Sequence, residues 1–343
     1  MIELLNVLYV QMPGSFVRVD HDAVAVDVDG ELKLRVPLIR LSSIVVFGRV
    51  VVSPAVIERC ALDGRGLAWL DGRGRFVGRV EGPTRGNVLL RRAQHLALDD
   101  PSRTVEIARR SVAAKVQNSR HALLRAARES GDAAEARRIA PAGDYLGRAV
   151  DRVGAAGSLD ELRGIEGDAA RAYFRVFGLL VRTDRSAFPF DGRNRRPPRD
   201  RTNALISFLY AVVLAECSSA LEGVGLDPQV GFLHALRPGR PALALDLLEE
   251  LRPIVADRLA LRLINRRQVQ ASDFEDQPGG AFYLTEQGRR TVLRAFQERK
   301  SEEIPHRVLG RSIPIGLLPH VQARLLARHL RGDLPAYPAF RAR

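Results

Sequence analysis

The hydrophobic pattern changes period once, near Gly82, and that change restricts the chain to a two-part α+β architecture. Between residue 2 and about residue 80 the apolar positions alternate or fall in short β-branched runs: ELLNVLYV, SFVRVD, AVAVDV, LKLRVPL and SIVVFG. Runs of this length and composition form strands with a buried face. DVDGEL (27–32) sets Asp-Gly between two of them, the residue pair that closes a tight hairpin. One helix interrupts, with Ser53 as its cap, Pro54 in its first turn and AVIERCAL carrying it to Gly64. LAWLD and RFVGRVE complete a small N-terminal β domain, residues 1–82.

The six residues GPTRGN read as a linker, and the remainder of the chain has helical periodicity. NVLLRRAQHLAL, TVEIARRSVAAKVQNSRHALLRAAR, AAEARRIAPAGDYLGRAVDRV and SLDELRGIEGDAARAYFRVFGLLV are long and rich in Ala, Leu and Arg. Ser158 and Glu161 have the capping-box spacing. A helix beginning near Thr202 aligns Leu205, Phe208, Leu209, Val212 and Val213 on one face. Further helices are predicted at 242–266, 285–299 and 318–331, and YPAFRAR reads as a tail. Residues 83–343 are thus expected to form a larger all-α domain.

The net charge is +13, and a globular chain this basic is expected to meet a polyanion. Only Lys33, Lys115 and Lys300 are lysines, so arginine carries nearly all the positive charge. Cys60 and Cys217 lack the spacing of a metal site or a disulfide framework and read as buried thiols. The N-terminus lacks the features of a signal peptide, and the run ALISFLYAVVLA (204–215) is short for a membrane span. A reduced, cytoplasmic protein without a membrane partner is expected.

The common short catalytic motifs are absent, which leaves histidine with carboxylates. Six of the seven histidines are expected at the surface; His234 stands apart, at the edge of an apolar stretch before an Arg-Pro-Gly loop. The helix beyond it carries Asp246 and Glu249 on a face bordered by Leu243, Leu247, Leu248 and Leu251. Carboxylates against a core face need a positive partner, which a divalent metal or an arginine would supply. Glu166, between two glycines in GIEGDAARAYF, adds a third acid, and the small residues beside it would let another element approach closely. Glu, His and a second acid suit Mg²⁺ or Mn²⁺, although on spacing alone surface residues and ion pairs are the commoner reading. Residues 191–210, DGRNRRPPRDRTNALISFLY, place five arginines and two prolines directly before the helix near Thr202.

Four segments in order resemble the CRISPR-associated integrase of the spacer-acquisition module, the "Cas one" family: KVQNSRHALLRAAR, GIEGDAARAYF, DGRNRRPPRDRTNALISFLYAVV and GFLHALRPGRPALALDLLEELRP. FYLTEQGRRTVLRAFQERK and the YPAF ending are similar to the type I-C branch. The resemblance implies a β-rich domain that pairs two protomers into a homodimer and a helical domain with one metal site per protomer. It implies Glu166 and His234 as catalytic metal ligands and an acid of the next helix as the third. Glu249 is favoured there, with Asp246 supporting or sharing the site. The implied reaction is attack of a DNA 3′-OH on a phosphodiester at the CRISPR repeat, dependent on Mg²⁺ or Mn²⁺ and on no nucleotide cofactor. Arg193, Arg195, Arg196, Arg237 and Arg240 would hold phosphates, while Arg199 and Arg201 face water. The implied partners are prespacer and repeat DNA, a small "Cas two" subunit and, in some subtypes, a trimming "Cas four" nuclease. A catalytically inactive DNA-binding scaffold of the same fold is the alternative, and an unrelated basic helical protein that binds RNA is the third reading.

Overall fold

The computed structural model describes residues 6–71, 76–80, 82 and 88–342. The segment read as a linker, 82–87, lies outside the described residues except for Gly82, as do the first three residues of ELLNVLYV. The chain divides into two compact units, Met1–Gly86 and Asn87–Arg343.

The first unit runs β1 (Asn6–Val10), β2 (Ser15–Asp20), β3 (Ala23–Val28), β4 (Glu31–Pro37), β5 (Leu41–Phe47), β6 (Val51–Val52), α1 (Pro54–Asp63), β7 (Gly66–Leu70) and β8 (Phe76–Val80). They form two four-stranded sheets, ordered β1-β5-β7-β8 and β4-β3-β2-β6. Val17, Val24, Ile44, Val46, Cys60 and Leu67 are fully buried in one apolar core. Asp29 and Gly30 both take positive φ, 52° and 79°, the geometry of the hairpin turn their sequence predicts. Ser53 accepts a hydrogen bond from the Val56 amide and Gly64 ends α1 in the left-handed region, so both sequence signals for this helix are realised. Burial pushes the Cys60 thiol up to about 11 and keeps it protonated at neutral pH.

The second unit contains α2 (Val88–Asp99), α3 (Pro101–Arg128), α4 (Ala133–Ala155), α5 (Leu159–Phe177), α6 (Arg201–Val224), α7 (Ala242–Leu251), α8 (Arg258–Asn265), α9 (Glu286–Ser301) and α10 (Leu318–Leu330). It is not all-α. Two antiparallel hairpins, β9 (Phe274–Gln277) with β10 (Ala281–Leu284) and β11 (Glu303–His306) with β12 (Arg311–Pro314), flank α9. Four-residue strands are too short for periodicity to separate them from helix or loop. The helix expected over 242–266 is also divided. Pro253 has no N–H to donate, and residues Arg252–Asp257 widen into a π turn between α7 and α8.

Helix α6 is capped by Asp200, whose carboxylate accepts from the Asn203 amide at 2.7 Å. By length and apolar character this 24-residue helix could cross a bilayer, which the shorter run 204–215 did not suggest. Within the unit it is a core helix, with 56% of its most apolar window buried. YPAFRAR is no loose tail, because Tyr337 and Phe340 are 2% and 3% exposed. Tyr337 Oη and the Phe340 amide both donate to the buried carboxylate of Glu250, and Asn118 bonds to Phe340 O and the Ala342 amide. Burial raises Glu250 to about 7 against these hydrogen bonds. His306, expected at the surface, is 3% exposed and faces Gln322 Oε1 at 2.9 Å.

Candidate metal centre

Three helices and one loop of the second unit bring the predicted residues together. Asp100 caps α3 by accepting from the Ser102 and Arg103 amides. Further along the same helix, Lys115 is 8% exposed. Its ammonium touches Glu166 Oε1 from α5 and lies 2.6 Å from Glu249 Oε2 on α7. Arg252 Nη1 lies 3.0 Å from the other oxygen of Glu249. Glu249 is 2% exposed, and burial alone would raise its carboxyl. The two cations in contact with it, Arg252 and Lys115, outweigh burial and hold it well below the usual carboxylate range. Burial likewise lowers Lys115, but Glu249 and Glu166 reverse the shift and keep it charged.

Asp246 and Glu249 have separate tasks, a distinction the sequence left open. Asp246, 4% exposed, accepts from the amides of Phe232 (2.6 Å), Leu233 (2.9 Å) and His234 (3.0 Å). It also lies 2.6 Å from His234 Nδ1. A carboxylate only accepts, so Nδ1 carries the proton and Nε2 of the neutral ring keeps a lone pair. Nε2 is 3.8 Å from Glu249 Oε1. Gly231 makes this arrangement possible: a Cβ there would meet Ala242 C at 2.5 Å and Leu243 N at 2.7 Å. Arg163, one turn before Glu166, clamps the same loop through two hydrogen bonds to Leu233 O, at 3.0 and 2.8 Å.

The glycines flanking Glu166 do not serve close packing. A Cβ at Gly164 or Gly167 meets nothing within 4 Å, so among the small residues beside Glu166 the close packing falls to Ala169, 3% exposed. Behind the cluster Arg252 stacks 4.8 Å from the Tyr210 ring centroid. Tyr210 and Tyr173 donate to Asp257 at 2.7 and 3.1 Å. Burial lifts Asp257 to about 6, with the two tyrosine bonds opposing it.

The arginines of 191–201 divide by role. Arg193 turns inward, donating to Asn203 Oδ1 (2.7 Å) and Ser207 Oγ (2.9 Å), with its guanidinium 5.4 Å from the Tyr210 centroid. Arg195, Arg196 and Arg199 are exposed. Arg201, expected in water, instead bonds to Ala187 O at 3.0 Å and lies over the Phe282 ring at 5.0 Å. Pro198 O accepts from the Phe282 amide at 2.9 Å, which fixes the loop to β10. Arg237 is exposed and Arg240 half-buried in the loop before α7.

The donor set fits a hard divalent cation: two carboxylates, one imidazole nitrogen with its lone pair directed by Asp246, and one cation already shared between Glu166 and Glu249. As these side chains stand, no three His, Cys, Asp or Glu among the described residues are close enough to hold an ion, because Lys115 separates the two carboxylates. Sequence reasoning did not find Lys115, Arg252, Arg163 or Gly231. Lys115 had a signal: it is one of only three lysines in a chain with 53 basic residues, set within an apolar helical run.

A helical unit that sets two carboxylates on one buried ammonium, with an imidazole 3.8 Å from the second of them, is equipped for chemistry on phosphodiesters. The chain belongs to the CRISPR-associated protein Cas1 family, whose model matches residues 8–298. It is a CRISPR-associated endonuclease of the Cas1 type. It is 51% identical to CRISPR-associated endonuclease Cas1 1 of Moorella thermoacetica, over 98% of both chains. It is 53% identical to CRISPR-associated endonuclease Cas1 2 of Rhodospirillum rubrum, again over 98% of both. A Cas4 exonuclease/Cas1 endonuclease fusion of Geobacter sulfurreducens is 39% identical over 97% of this chain and 60% of the fusion. Among solved structures, a CAS1 protein from Thermotoga maritima superposes with a TM-score of 0.82 at 24% identity, covering 95% of this chain and 97% of that one. A casposase bound to its integration product gives 0.82 at 22% identity, covering 97% and 93%. A Cas6-RT-Cas1–Cas2 complex gives 0.82 at 21%, covering 99% of this chain and 36% of that one.

Proposed function

We propose that this chain joins the 3′-OH ends of captured DNA fragments to the CRISPR repeat, with Glu166, His234 Nε2 and Glu249 holding Mg²⁺ or Mn²⁺. The observation that carries this reading is the aim of His234 Nε2 toward Glu249, fixed by Asp246 at Nδ1. A bound divalent cation supplies Lewis-acid activation of the attacking hydroxyl and offsets charge on the phosphoryl group. The protein's own groups orient the reactants. Asp246 holds the imidazole, Arg252 and Lys115 keep Glu249 ionised, and Arg195, Arg196, Arg237 and Arg240 bind backbone phosphates bidentately. Arg193 acts one step back, fastening the loop that carries its neighbours. In a strand-transfer assay with a 3′-OH duplex and a repeat-bearing plasmid, product forms with Mg²⁺ or Mn²⁺ and disappears with a chelator. DNA binding that never yields joined product under any metal would favour the inactive scaffold instead.

The chain acts in the cytoplasm as a homodimer, with no membrane partner. In the first unit Val51, Phe16, Asp27 and Leu32 form one cross-strand row of β6, β2, β3 and β4, and its apolar members Val51, Phe16 and Leu32 are 59%, 40% and 53% exposed. A sheet face with three exposed apolar side chains suits a second copy, with the Arg18–Asp27 pair among them. Phe16→Asp shifts the species seen by light scattering at micromolar concentration from dimer to monomer; an unchanged dimer, or a monomeric wild type, counts against this surface. A Cas2-type subunit and a Cas4-type nuclease are the proposed protein partners, supported by the Cas2 complex and the Cas4 fusion among its neighbours. Placement in the type I-C branch rests on FYLTEQGRRTVLRAFQERK and YPAF.

A further inference from the structure

The second unit contains a cavity of about 650 Å³ that the proposed reaction does not use, lined from α3, α8, α9 and β11. Its wall includes Arg125, Arg182, Arg258, Arg262, Arg266 and Arg299, against the three acids Glu129, Glu302 and Glu303. Two of those acids are already committed. Glu129 pairs with Arg125 at 2.6 Å, and Glu302 alone bridges Arg262 and Arg299. Arg299 is the informative residue. It is 3% exposed, donates to Glu302 and to Ile254 O, and leaves its buried Nε without a partner. Arg258 has neither a hydrogen bond nor an ion pair from its side chain to any described residue, and it lines the same wall.

Six guanidinium groups around one concavity, with half a carboxylate for the most buried of them, leave uncompensated positive charge. Burial, followed by the charge of Arg258, brings Arg299 down to about 10, the direction expected when a cation lacks counter-charge. Low-dielectric walls of one sign focus the field on whatever enters. The missing partner is an oxyanion with several acceptor oxygens, because guanidinium forks engage such groups bidentately and a single small halide would leave most donors unmatched. The volume lies in the range of small-molecule sites and exceeds the space one phosphate needs.

We propose that this arginine-lined cavity binds phosphate groups, as a second phosphate site separate from the residues around Lys115. Ten residues of α3 separate Lys115 from Arg125, about 15 Å at the helical rise, so one nucleic-acid strand can engage both places. The shared chemistry is the phosphate group, whether from a DNA backbone or from a free phosphate compound. The site requires no divalent cation and does not depend on the assignment of the metal ligands.

The test uses the full chain in the presence of a chelator. Calorimetric titrations with a short single-stranded oligodeoxynucleotide and, separately, with inorganic phosphate are compared for wild type, Arg258→Gln, Arg258→Glu and Arg331→Gln. Arg258 is exposed and holds nothing in place, so its variants fold, which circular dichroism checks. Arg331, paired with Asp333 at the surface, controls for the same loss of net charge. Arg258→Gln weakens binding about tenfold and reduces the slope of log affinity against log salt by about one, Arg258→Glu weakens it further, and Arg331→Gln changes little. Loss with the oligonucleotide alone assigns the site to a DNA backbone; loss with inorganic phosphate as well assigns it to any phosphate. Neither probe binding to wild type, binding by both Arg258 variants equal to wild type, or an equal loss in Arg331→Gln overturns the proposal.

Discussion

Glu249→Gln abolishes strand transfer, with a loss of roughly a thousandfold or more, whereas Asp246→Asn retains measurable activity that rises with added metal. The buried Glu249 carboxylate balances Arg252 and Lys115 and faces His234 Nε2. Removing its charge removes a proposed ligand directly. A metal supplies several kcal/mol of transition-state stabilisation, and each tenfold in rate corresponds to about 1.4 kcal/mol. Asp246 is already engaged by three amides and the imidazole, so it acts through His234. Asparagine there retains one acceptor oxygen and presents an NH₂ group to partners that are themselves donors. Loss of an orienting partner of this kind lowers metal affinity about 10- to 100-fold. Manganese titrations of the two variants, read by calorimetry as well as by product formation, separate the roles. Equal metal affinity in Asp246→Asn and wild type, or full activity in Glu249→Gln, would reverse the assignment.

Lys115→Met lowers the melting temperature in the absence of divalent cations, and Mn²⁺ then stabilises the variant more than it stabilises wild type. Lys115 is a buried ammonium shared by Glu166 and Glu249, and deleting one member of such a group leaves like charges facing each other. Breaking a buried ion pair from one side costs about 3–5 kcal/mol, which for a unit of this size corresponds to roughly 10 °C. A divalent cation restores positive charge between the carboxylates, so its binding registers as a larger thermal shift in the variant. An unshifted melting temperature, or identical Mn²⁺ responses, would show that Lys115 does not hold the carboxylates together.

The β unit was readable because its signals are local. Asp29-Gly30 makes its own turn, and Ser53, Pro54 and Gly64 set both ends of α1. The hairpins around α9 were not, since β9 to β12 have four residues each and no alternation long enough to count. At the site, the sequence located Glu166, His234 and the acidic helix but could not divide labour between Asp246 and Glu249. The two lie one turn apart on the same apolar helix. What distinguishes them is the loop that reaches Asp246, and that approach depends on Gly231 lying against Ala242. The arginine loop shows the same limit. Charge and proline content predicted a stiff basic segment, while the inward turn of Arg193 and the docking of Arg201 on Phe282 depend on partners invisible to local pattern.

Glu249 and its neighbour Glu250 divide one turn of α7 between two tasks: the first belongs to the cluster around Lys115, the second receives Tyr337 and the Phe340 amide. During translation these partners of Glu250 emerge 87 and 90 residues after it. Until they arrive, a nascent chain carries an acid in its core without its donors, and Asn118 on α3 lacks its bonds to Phe340 and Ala342. The helix that presents Glu249 is therefore fastened through its neighbour by a segment that follows it by 87 to 90 residues.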